Sequence, residues 1–199
     1  MRFRSIEIGA AGVLCLISSA CVAGRPIHYY TINRAAAAVD AARSGGSVLM
    51  VGRITTSEAL QDSRIRYRAG SNEVGAYEYY RWVQRPATIV QDLLLDTLGA
   101  SGRFRQVLDA SSGASSDYLV HGRLNEFAEI DGPGIQTRVS MRLEMEDRKT
   151  GAVVWEHDYS RDEPVNGKTM QEVVLSMEHN LQHVIGEAAS AIEAAATRQ

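Results

Sequence analysis

The chain has 199 residues, 45% of them hydrophobic and 23% charged, and a formal net charge of −3. Those fractions exclude wholesale disorder, and near-neutrality without a basic block argues against a nucleic-acid binder. Two cysteines and five histidines are too few for a disulfide scaffold or a cysteine-rich zinc module.

The N-terminus carries Arg2 and Arg4, then a small and apolar stretch from Ile8 to Ile17, then Ser18, Ser19, Ala20 and Cys21. A basic start, a short apolar stretch and small residues before a cut make a secretory signal peptide. The stretch falls well short of the roughly 20 apolar residues that a spanning helix needs. Small residues leading to a cysteine resemble a bacterial lipobox, in which the cysteine is acylated and becomes the first mature residue. Ser18 stands where leucine is usual, and Glu7 lies unusually near the apolar stretch. The alternative is an ordinary cleaved signal with an incidental cysteine. Acylation at Cys21 would leave a mature chain of net charge −4 with one cysteine, and therefore no internal disulfide. The expected division is 1–20 signal peptide, 21–24 short tether, 25–195 one domain and 196–199 tail.

Pro26 to Ile32 reads as a first strand, and Asn33 to Gly46, rich in alanine, as a loose helix or linker. Val48 to Ile54 is apolar on both alternations, as in a strand covered on two sides. Arg64 to Arg68 alternates, with Ile65 and Tyr67 against three arginines. Val74 to Trp82 is an aromatic strand. Pro86 suits the first position of a helix, whose stripe is Ile89, Val90, Leu93, Leu94 and Leu98, with Gly99 as its stop. Phe104 to Leu108 is a short strand, and 111–116 a loop. Strands follow at Tyr118 to Phe127, Gln136 to Glu146 and Ala152 to Ser160. The last two are joined by a turn with Gly151 at its left-handed position. Thr169 and Glu172 predict a capping box for a final helix, with Met170, Val173, Val174, Met177, Leu181, Val184, Ile185, Ala188 and Ile192 on its apolar side. Runs of strands without strict βαβ alternation predict an α+β fold. It is a single two-layer domain: a mixed or antiparallel sheet of about six or seven strands with two amphipathic helices packed on it.

Catalytic patterns are weak. The nearest approach to a nucleophile turn, around Ser115, lacks its final glycine. His179 and His183 are spaced to share a helix face, but a solvated face explains them as well as a metal does. Arg64, Arg66 and Arg68 suit phosphate groups, or equally a solvated strand face answered by acids on a neighbouring strand. Tyr77, Glu78, Tyr79, Tyr80, Arg81 and Trp82 are more distinctive. By strict alternation Tyr77 and Tyr79 face one way while Tyr80 and Trp82 face the other. One set then serves the core, and the other meets a partner or is covered within the monomer. Tyr67, Tyr77, Tyr79 and Trp82 are the candidate partner or oligomer contacts.

Cys21, Tyr29-Tyr30-Thr31, the stretch from Leu60 through Asp62, Arg64, Ile65 and Tyr67 to Arg68, and Tyr77-x-Tyr79-x-x-Trp82-x-x-x-Pro86 with its following helix together carry a resemblance. Over residues 21 to 195 the chain resembles the ABC-type transport auxiliary lipoproteins, the PqiC-like family, departing at Ser63 where relatives tend to have proline. The resemblance implies a periplasmic lipoprotein that accompanies an MCE-type protein and its ABC transporter in moving lipids between membranes. It implies neither catalytic residues, cofactor nor metal, and it points to a homo-oligomeric ring. Val22 after the cysteine resembles lipoproteins sent to the outer membrane of a Gram-negative bacterium. A lipid-anchored periplasmic hydrolase and a structural envelope lipoprotein are the alternatives.

Overall fold

Eight strands and two helices hide their apolar sides against one another in the computed structural model, which describes residues 25–33 and 46–198. Strands β1 (His28–Tyr30), β2 (Val48–Thr56), β3 (Arg64–Ala69) and β4 (Glu73–Trp82) precede helix α1 (Pro86–Ser101). Then come β5 (Gln106–Asp109), β6 (Tyr118–Asp131), β7 (Gln136–Asp147), β8 (Val153–Pro164) and helix α2 (Met170–Thr197). The architecture is α+β, with one mixed sheet and one core. The stretches expected as signal peptide, 1–20, and tether, 21–24, with Cys21, lie outside the described residues, as does most of the alanine-rich segment, 34–45.

The sheet forks at β6. Along one edge β6 pairs antiparallel with β7, and β7 with β8. Along its other edge the first half of β6 takes β2 in parallel, with β5 beyond. The second half takes β3 in parallel, with β4 and then β1 beyond. Between the two halves the register with β7 slips at Asn125, so Leu124 and Phe127 both face the core although they are three apart. A bulge of this kind turns a strand and resets which side chains point inward. At Gly122 the backbone of β7 comes so close that an added Cβ would collide with the Arg142 carbonyl.

Both helices lie on one side of this sheet, called the inner face below. Their apolar stripes, including Val90, Leu94 and Leu98 of α1 and Met177, Leu181, Ile185 and Ile192 of α2, cover Val120, Val139, Met141, Leu143 and Met145. Helix α1 starts at Pro86 as the sequence suggests, but it runs past Gly99 to Ser101. Its stop is Gly102, which takes the left-handed conformation at φ 70°. The capping box of α2 forms as expected, with Thr169 accepting from the Glu172 amide. Gly151 closes the β7–β8 turn at φ 71°. One polar group sits inside the α2 stripe: fully buried Asn180 donates to the carbonyls of Thr137 (2.9 Å) and Arg161 (3.1 Å), pinning the helix to β7 and β8.

All eight strand stretches read from the sequence, β1, β5 and β8 included, join this one sheet, close to the six or seven strands expected of it. Strand β1 is also shorter than the predicted Pro26 to Ile32. Beyond Tyr30 the chain leaves the sheet so that Ile32 can enter the core and Asn33 can bond Glu178 of α2.

Candidate functional site

The arm of the fork made by β3, β4 and β1 extends beyond the main packing of both helices, which lies on β2, β5, β7 and β8. Its two faces differ in chemistry. Pairing between β3 and β4 is irregular: Arg64 matches Arg81, but Arg66 matches Ala76, so β4 bulges between 76 and 81. This overturns the strict alternation read from the sequence. Tyr77 and Tyr80 share the inner face, with ring centroids 5.6 Å apart and an edge-on geometry. Tyr67 stacks at 5.1 Å from Tyr77, and Tyr30 at 6.1 Å from Tyr80, completing a line of four rings. Gly75 makes room for Tyr67, whose ring occupies the space a Cβ would need.

Trp82 is not part of an exposed face. It is 1% exposed and packs on Phe127 at 5.4 Å, so Trp82, expected from the sequence as a partner contact, is instead a core residue. The physical reason is that the register sets Trp82 beside Tyr30 of β1 and its ring against Phe127 of β6, on the inner face of the sheet. Tyr67 and Tyr77 are half-buried on the inner face, and Tyr79 lies under the guanidinium of Arg25 at 5.9 Å.

Tyr77 donates its hydroxyl to both oxygens of Glu129, at 3.0 and 3.1 Å. Glu129, on β6, is 3% exposed, a residue that no sequence pattern singled out. Burial pushes its carboxyl above the ordinary carboxylate range, the Tyr77 hydrogen bond opposes that shift, and the negative charge of Asp131 adds to it. Burial likewise pushes the Tyr77 hydroxyl well above its usual value, with the Glu129 charge adding to the effect. The unfolded chain therefore ionises at this position first as pH rises, from about pH 4.3. From there upward Glu129 lowers stability, until its own folded pKa is passed and the deficit becomes constant. Glu129→Gln keeps an acceptor for Tyr77 and removes the buried charge. It should melt at a higher temperature than the native protein at pH 7 and lose that advantage below about pH 4. A glutamine variant that melts lower at pH 7 would refute this account of the carboxylate.

The outer face of the same arm carries the arginine row. Parallel pairing sets Tyr29 beside Arg81, and antiparallel pairing sets Arg81 beside Arg64. Arg64 and Arg66 both reach Asp62 (2.6 and 2.9 Å), and Arg68 reaches Glu126 on β6 (2.8 Å). Acids therefore answer all three arginines expected in this row, Glu126 from the neighbouring strand and Asp62 from just before β3, whereas Arg81 and Arg25 beside them have no acidic partner among the described residues. Ile27, Tyr29 and Val83 stand exposed at the edge of this arm, Tyr29 at 61% and Val83 at 63%. The sequence marked this region as strand but gave no reason to single out those three, since an isolated strand pattern does not say which edge of a sheet stays open.

The other candidates disperse. Ser115 lies in an exposed loop after the turn Ala110–Ser112. His179 meets Glu163 (2.9 Å) on the solvent side of α2, and His183 pairs with Glu187 (3.3 Å). No group of three His, Cys, Asp or Glu side chains gathers among the described residues. A cleft of about 780 Å³ opens beside the fork between the end of β2 and the start of α1, and is lined by Arg53, Thr55, Arg85, Gln91 and Asp109 among others. Two cations and one carboxylate on an open wall make it polar, but the serine and the histidines lie outside it.

Comparison with known proteins gives one family. The model described as "ABC-type transport auxiliary lipoprotein component" matches residues 30–189. The crystal structure of XCC0632 from Xanthomonas campestris, of the DUF330 family, superposes with a TM-score of 0.77 at 16% identity, covering 86% of this chain and 97% of that one. A solved structure of an uncharacterized protein gives 0.68 at 13% identity, covering 84% and 99%. The hypothetical protein CT253 from Chlamydia trachomatis gives 0.54 at 9% identity, covering 78% and 100%. At these identities the likeness is one of fold. No curated protein matches the chain.

Proposed function

Because the chain belongs to the ABC-type transport auxiliary lipoprotein family, we propose that it is a non-enzymatic, lipid-anchored subunit of an MCE/ABC-type intermembrane lipid transport complex. Cys21 is its acylation site and holds it at the outer membrane, facing the periplasm. The observation that carries this reading is the forked arm: it bears two chemically different open faces, and the chain leads back from its edge to Cys21. On the inner face the rings of Tyr67 and Tyr77, with Tyr30 and Tyr80, form the surface for a protein partner, as aromatic side chains do at interface centres. No helix among the described residues is long and apolar enough to cross a membrane.

Affinity purification of the native lipoprotein from membranes in mild detergent should bring down an ATPase, a permease and an MCE-type protein. Recovery of peptidoglycan-bound or assembly-machine partners instead would overturn the transport reading. Copies of the chain are also proposed to assemble with one another. Sedimentation at tens of micromolar should then give a mass several times that of the monomer.

A further inference from the structure

We propose that the outer face of the β1–β4–β3 arm is a bilayer-docking surface, on which Tyr29 and Ile27 enter the headgroup region while the arginine row meets anionic phospholipid headgroups. The inference rests on the reading of Cys21 as the acyl anchor and names the face that the anchor presses against the membrane.

Three independent observations converge on this face. The first is tether length. Six residue steps separate Cys21 from Ile27, and at about 3.3–3.6 Å per step they span no more than roughly 20 Å. Whatever path residues 22–24 take, Ile27 stays within that distance of the acylated residue, and Tyr29, eight steps along the chain, within roughly 29 Å.

The second is the kind of side chain exposed there. Ile27 is 43% exposed and Tyr29 61%, both on the short edge strand, and Val83 follows at the end of β4. A tyrosine beside an aliphatic residue suits the membrane interface, where the ring lies among acyl carbons and the hydroxyl among headgroups. Water alone offers such a cluster nothing, and soluble proteins seldom keep one without a use.

The third is charge. Tyr29 is the register partner of Arg81, and Arg81 of Arg64, so the apolar edge runs directly into the arginine row. Asp62 and Glu126 offset part of that row, and the exposed Glu78 lies on the same bulged strand. Arg81 and Arg25 remain without a carboxylate among the described residues, and the Nε of Arg81 is buried with no hydrogen-bond partner. The chain as a whole is acidic, with a net charge of −3, so this concentration of unanswered positive charge is local. It complements an anionic leaflet, whose potential acts on basic groups within a Debye length. The aromatic line of the inner face points away from this surface and is left to protein.

The test uses the chain beginning at Val22, which lacks Cys21 and so carries no acyl group. Every buried apolar residue of the described core falls between Ile32 and Ala195, so removing 1–21 leaves that core whole. Its partitioning is measured on vesicles of phosphatidylcholine, with and without phosphatidylglycerol. Binding is expected only when phosphatidylglycerol is present, and it should weaken as salt rises. Ile27→Ser with Tyr29→Ser, two exposed positions whose loss does not threaten folding, should reduce partitioning at least about tenfold. Native-like circular dichroism of the double variant guards the comparison.

Equal binding by the variant, or no binding by the native sequence to either vesicle, overturns the proposal. So does a drop in sedimenting mass caused by the same two substitutions, because the face would then be a contact between copies. The transport reading is judged separately. The acylated double variant is purified from cells: recovery of the transporter with it leaves that reading standing even if vesicle binding fails. Absence of the transporter from the native lipoprotein removes the transport reading without touching the vesicle result.

Discussion

Replacing Cys21 by Ser should abolish acyl labelling and release the protein from the membrane fraction as an uncleaved or soluble precursor. A serine hydroxyl does not form the thioether on which lipidation depends, and Cys15, the other cysteine, sits inside the apolar stretch and not at its end. The effect is all or none because of how anchoring energy accumulates. Each buried methylene contributes about 0.8 kcal/mol, so two or more long acyl chains hold a protein almost irreversibly. The aromatic and arginine face alone gives only a reversible, salt-sensitive attachment. Metabolic labelling with a radioactive fatty acid, followed by fractionation, checks this. Equal labelling of the serine variant would sink the lipoprotein assignment of Cys21 and, with it, the geometric basis for a docked arm.

Trp82→Ala should be the most destabilising single change in the arm, costing about 3–5 kcal/mol. Total stabilities of domains this size lie near 5–15 kcal/mol, so the variant would be marginal. The indole is 1% exposed, packs on Phe127, and belongs to the residue whose amide bonds the Ser63 carbonyl (2.7 Å) where β3 begins. Its Nε1 has no hydrogen-bond partner, so removal of the ring sacrifices packing and leaves no new polar group stranded. Urea unfolding should show the midpoint falling sharply for alanine and much less for Trp82→Phe, which keeps a ring at the site. By contrast Tyr29→Ser, on the open edge, should stay within about 0.5 kcal/mol of the native protein. A Trp82→Ala loss as small as the Tyr29→Ser loss would mean that this end of the arm is not anchored through the core.

The contrast between Trp82 and Tyr29 shows where sequence reasoning worked and where it stopped. Strand β7 was legible because Val139, Met141, Leu143 and Met145 alternate without interruption, and all four are buried. The capping box of α2 and the turn at Gly151 were legible because each rests on a few adjacent residues whose backbone preferences are local. Strand β4 was legible as a strand, yet its faces were assigned wrongly: the bulge between Ala76 and Arg81 brings Tyr77 and Tyr80 to one side. Glu129 and Asn180, both buried, carried no signal at all. Their partners, Tyr77 for one and the carbonyls of Thr137 and Arg161 for the other, lie far away along the chain.

By itself the sequence determined which stretches become strands and helices, the α+β class, the family resemblance and the cysteine at the end of the apolar stretch. Periodicity and capping are properties of neighbouring residues, so a single chain displays them openly. Only the tertiary structure decided that the sheet forks at Asn125, that Trp82 is core, and that β1 closes the arm as an open edge with Tyr29 outward. Those outcomes depend on register between strands distant in sequence, and a bulge that shifts register reverses the face of every later side chain. No local pattern records such a shift, because its cause is the fit of one strand against another.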